Sequence, residues 1–103
     1  MDKGAVINII TQFRESLTCK GIKIDRIILY GSHAHGMQRP DSDIDLVVIS
    51  DSFNGMDYWQ RIDILADSIS DIFQPIEAVA MTNEEWNNKA FMAAEYASKG
   101  VLV

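Results

Sequence analysis

The chain is short of several residues that define whole classes of protein. Cys19 is its only cysteine, so no disulfide can form within the chain and a disulfide-stapled secreted scaffold is excluded. Cys19 is expected as a half-buried thiol following the first helix. Long apolar runs are missing too. No stretch approaches the roughly 20 apolar residues of a membrane span, and the start MDKGAVINIITQFRES lacks the basic-then-apolar layout of a signal peptide. The expectation is a cytoplasmic protein without membrane association. Basic residues number 9 against 15 acidic, for a net charge of −6, and they are scattered rather than clustered. Nucleic acid is therefore not an expected partner, and a template-directed polymerase is disfavoured.

What is present suits one core. An apolar content of 48% over 103 residues supports a single domain spanning 1–103, with no length for a second substrate-binding domain. Val6, Ile9, Ile10, Phe13 and Leu17 recur at three- and four-residue intervals, which predicts an amphipathic helix over about 4–18, stopped at Gly21. Arg26 to Tyr30 reads as a buried strand ended by Gly31, with a short helix starting near Ser32. Asp43 to Ile49 is the second strand. Trp59, Ile62, Leu65, Ala66, Ile69 and Phe73 outline a long helix ended before Pro75. Ile76 to Ala80 forms a third strand, and Thr82 to about Ser98 a last helix opened by a Thr82–Glu85 capping box. Helices and strands alternate, giving an α/β fold. Trp59, Phe73, Trp86 and Phe91 fall on helical apolar stripes and are expected in the core, with Tyr30.

The second strand carries an anomaly. Its period of two puts Asp43, Asp45, Val47 and Ile49 on one face, so two carboxylates share a largely apolar strand, roughly 6.6 Å apart along the backbone. Without a partner, like charge and desolvation would drive them to protonate. A divalent cation between their tips removes that conflict. Oxygen-only ligands favour Mg²⁺ or Mn²⁺, whose remaining positions take water and substrate phosphates. Gly31-Ser32, after the first strand, lets backbone N–H groups approach phosphate oxygens. Glu77, the one acid of the third strand, would be a third carboxylate for metal or proton if it faces the same edge; otherwise it simply meets water. His33 and His35 have no third soft ligand nearby, which argues against zinc.

Gly31-Ser32, the spacer His33 to Pro40, and the segment Asp41-Ser42-Asp43-Ile44-Asp45-Leu46 together resemble the signature of the nucleotidyltransferase superfamily related to DNA polymerase β. The small size resembles its minimal nucleotidyltransferases (MNT), which accompany HEPN proteins. The resemblance implies a nucleotidyltransferase fold, a small mixed β-sheet of about three to four strands flanked by helices. It implies that Asp43, Asp45 and Glu77 are the catalytic, metal-binding acids around two Mg²⁺ ions. It also puts Gly31, Ser32, Arg39 and Ser42 against the nucleotide. The implied reaction moves a nucleoside monophosphate, AMP from ATP, onto an acceptor hydroxyl. The implied acceptor is a tyrosine of a HEPN toxin, with this chain as the antitoxin. Two departures stand out: the group often carries arginine where His35 stands, and aspartate where Glu77 stands. They keep open a catalytically weak or inactive binding module for a HEPN partner. An antibiotic-type nucleotidyltransferase is a further alternative, with a partner or a homo-oligomer supplying the missing second surface.

Overall fold

The computed structural model describes residues 3–34, 43–89 and 92–103, including their side chains except those of Ser32, Met92, Ala93 and Tyr96. The first helix, α1 (Lys3–Cys19), buries the five apolar residues that its spacing set on one face, Val6, Ile9, Ile10, Phe13 and Leu17. Phe13 and Leu17 are fully enclosed, and each such side chain removed from water contributes about 2 kcal/mol. Cys19, on the opposite side of the last turn, is exposed rather than half-buried.

Four strands follow the remaining apolar runs: β1 (Arg26–Tyr30), β2 (Ile44–Ile49), β3 (Ile76–Met81) and β4 (Val101–Leu102). They form one sheet in the order β3-β2-β1-β4. β1 runs antiparallel to both β2 and β4, whereas β2 and β3 are parallel, joined by the crossover through the second helix. The sheet is thus mixed, as expected. Asp43 lies immediately before β2 rather than inside it and is exposed.

Both faces of β2 are covered, which is why its residues are apolar on both sides. Ile44, Leu46 and Val48 join the main core beneath α1 and the second helix, α2 (Tyr58–Ile72). Val47 and Ile49 join a smaller cluster with Ile28, Met81, Ala94 and Ala97. This cluster lies under the C-terminal helices, α3 (Asn83–Asn87) and α4 (Met92–Ala97). A single helix was expected across 82–98. The chain instead breaks after Asn88, where Lys89 takes a left-handed φ of 50° that no α-helix can continue through.

Asp57 caps α2 with a reciprocal bond to Gln60, and Thr82 caps α3 in the same way with Glu85; each such cap contributes about 1 kcal/mol. The expected apolar stripe of α2 is divided: Leu65 and Ile69 meet the core, whereas the two ends of the stripe do not. Leu65 and Ser68 are its buried residues, whereas Trp59 is 70% and Phe73 89% exposed. Ser68 is reached by a 2.9 Å hydrogen bond from Ser16 of α1. This polar contact ties α2 to α1 beside the apolar packing of Leu65, Ile64, Ile69 and Ile72 on the core.

Candidate active site

The topology brings three strand ends to one edge. Because β1 is antiparallel to β2 and β2 is parallel to β3, the C-terminal end of β1 and the N-terminal ends of β2 and β3 lie together. In register, Tyr30 stands opposite Asp45, and Asp45 opposite Glu77. Residues paired in this way point to the same face of the sheet. Asp43, immediately before β2, lies close enough for its charge to act on Asp45. The condition set by the sequence for Glu77 is therefore met: it faces the edge that carries the two aspartates.

The electrostatics follow from this proximity. The Asp45 carboxyl is raised above the usual range, first by burial, then by the charges of Glu77 and Asp43 and by a hydrogen bond with Glu77; His33 pulls it the other way. The Tyr30 phenol is raised by burial and by the same two neighbours, Asp45 and Glu77. A carboxyl raised by burial and by neighbouring acids is the condition that a divalent cation relieves.

Gly31 completes the cradle. It opens a 3₁₀ turn, Gly31–His33, with a φ of 73° that is strained for any residue with a Cβ. A Cβ there would overlap the Asp45 carboxylate oxygen Oδ2 and come within 3.2 Å of its Cγ. Glycine thus lets the turn pass directly over the aspartate, so the backbone leading into Ser32 and one metal-competent acid share the same few ångströms.

The donor set is oxygen-only and open on one side, which fits a Mg²⁺ ion held by one or two carboxylates with substrate phosphates completing its shell. Among the described residues, no group of three or more His, Cys, Asp or Glu side chains is placed to hold an ion as it stands. Arg39, Ser42 and His35 lie outside the described residues, as does Phe91. Tyr30 was expected in the core by default, with a place beside the nucleotide base as the alternative. It does pack against the smaller cluster, but it also borders the acids, and its position directly before Gly31 was the signal for that.

A mixed sheet flanked by helices on both faces, with a glycine turn over acids at the strand ends, defines an α/β domain of the nucleotidyltransferase type. Residues 10–103 match the model of the family described as Polymerase beta, Nucleotidyltransferase, and the chain belongs to that family. Its structure is similar to a crystal structure of a "putative nucleotidyltransferase" from Sulfolobus solfataricus. The TM-score is 0.64 at 16% identity, and the match covers 99% of this chain and 87% of that one. At that identity the likeness concerns the fold. No curated protein gives a significant sequence match.

Proposed function

We propose that this domain transfers a nucleoside monophosphate, AMP from ATP, to an acceptor hydroxyl, as a minimal nucleotidyltransferase acting on a HEPN partner protein. The family supports nucleotidyl transfer in general. The observation that supports catalysis at this site is the in-register approach of Glu77 to Asp45 beneath Gly31; AMP and the HEPN partner rest on the motif resemblance.

Asp43 and Asp45 would hold Mg²⁺, with Glu77 as their neighbour. When bound, the ion would neutralise charge on the transferring phosphoryl group and on the departing pyrophosphate. The chain's own groups do the rest. The Gly31-Ser32 backbone N–H groups cradle phosphate oxygens, and Asp45 is held in place by the turn above it. Glu77, exposed at the same edge, accepts the acceptor's proton. The acceptor oxygen forms a bond to the α-phosphorus as the bond to the pyrophosphate oxygen breaks. Most of the catalysis on this reading is the positioning of charge.

The test is incubation with labelled ATP, Mg²⁺ and the HEPN-type protein encoded beside the gene. Label on the partner that disappears with Asp43→Asn supports transfer. A stable complex with no label in the wild type supports the binding-module reading, which His35 in place of arginine favours.

A further inference from the structure

The outer side of α2 carries an apolar stripe whose two ends the fold leaves exposed. Trp59, Ile62, Ala66, Ile69 and Phe73 are separated by three, four, three and four residues. That is the spacing of a seam made to meet another helix. Ile69 leans on the core, but Trp59 is 70% and Phe73 89% exposed. Beside this stripe runs a cavity of about 270 Å³, lined by Tyr58, Ile62 and Leu65 of α2 and by Ala78 and Val79 of the edge strand β3. Tyr58 stacks edge-on against Trp59 with ring centroids 5.1 Å apart, which holds a large aromatic surface at the groove mouth.

Phe73 is the more telling residue. It closes α2 in a left-handed conformation, φ 53° and ψ 45°, where glycine or asparagine is the favoured residue. A phenylalanine there strains the backbone and leaves its ring in water, so it contributes to stability through neither. A residue held in a sparsely populated conformation with no gain to the fold points to use elsewhere.

Charge decides what can cover the stripe. Asp57, Asp63 and Asp67 are exposed along the solvent side of α2. Its only basic residue, Arg61, is turned inward, 2.6 Å from Glu85 and bonded to the carbonyl of Phe53. A second copy of the chain would set these acids against their own kind, on a protein already at −6. A helix with Lys or Arg beside its apolar seam would match both features.

We propose that the α2 face from Trp59 to Phe73 is the docking surface for an amphipathic helix of a partner protein whose apolar seam is flanked by basic residues. The surface is distinct from the carboxylate edge, and docking there does not depend on transfer. The probe is a pair of labelled three-heptad peptides with leucine seams, one flanked by lysine and one by glutamate, titrated by fluorescence anisotropy. The lysine peptide is expected to bind at least tenfold tighter than the glutamate peptide. Trp59→Ser and Phe73→Gly should each weaken it tenfold or more, while Asp43→Asn leaves it unchanged. Phe73→Gly should meanwhile melt at a higher temperature than the wild type, which separates loss of binding from loss of fold. No binding of either peptide, equal binding of both, or undiminished binding by the two stripe variants would overturn the proposal. So would sedimentation showing a wild-type dimer that Trp59→Ser splits into monomers, since a second copy would then be the occupant.

Discussion

Replacing Gly31 by alanine adds one methyl group at the point where the turn crosses Asp45, and its effects can be separated by comparison with other glycines. The first effect is backbone strain. A φ of 73° is left-handed, and an L-residue there costs about 1–2 kcal/mol. For a domain near one hundred residues that corresponds to a fall in Tm of roughly 5–15 °C. The second effect is collision. The new Cβ overlaps Asp45 Oδ2, with Asp45 Cβ only 3.4 Å away. The oxygen ends a short side chain and can swing aside, so this collision adds little to the stability loss. It does move the carboxylate that the proposed site depends on. Gly55→Ala provides the control: its φ is 83°, and nothing stands within 4 Å of the added Cβ. Both variants should lose comparable stability in thermal melts, but only Gly31→Ala should lose nucleotide transfer and Mg²⁺-dependent nucleotide binding, by tenfold or more. If the two variants behave alike in transfer, the approach of Gly31 to Asp45 has no functional meaning and the site is misassigned.

Two further predictions follow from the electrostatics and packing. Because the Asp45 carboxyl is raised in the folded chain, the fold keeps that proton over a window in which the unfolded chain has released it. Stability from this group is therefore fully present below the usual carboxylate pKa of about 4 and is lost as pH rises through the raised value. Asp45→Asn should consequently melt above the wild type near neutral pH while being inactive, with the gap closing on acidification. A variant that is less stable by the same margin at both pH values contradicts the crowding of the acids. Arg61 joins α2 to α3 through Glu85 and to the carbonyls of Met56 and Phe53, with its side chain 12% exposed. Arg61→Ala should cost about 2 kcal/mol in urea unfolding, because it removes the charged partner of Glu85, which is 26% exposed and still bonded to the Thr82 backbone N–H, together with the bonds to two carbonyls; a loss below about 0.5 kcal/mol would show that the pair is solvated.

Local pattern carried much of this protein. The five buried residues of α1, the two faces of β2 and the capping residue of α3 follow from spacing and side-chain chemistry, since each depends on neighbours a few positions away. Gly31, Asp43, Asp45 and Glu77 could be singled out as candidates as well, because acids within or directly before apolar strands need a reason that local structure does not supply. Tertiary structure alone decided three things. It set Glu77 in register with Asp45, through a parallel pairing that spans α2 and that no local signal specifies. It fixed the rotation of α2 about its axis, so that Leu65, Ser68 and Ile69 meet the core and α1. It also turned Trp59 and Phe73 outward, because a helical repeat shows which residues share a side but not which side meets the core.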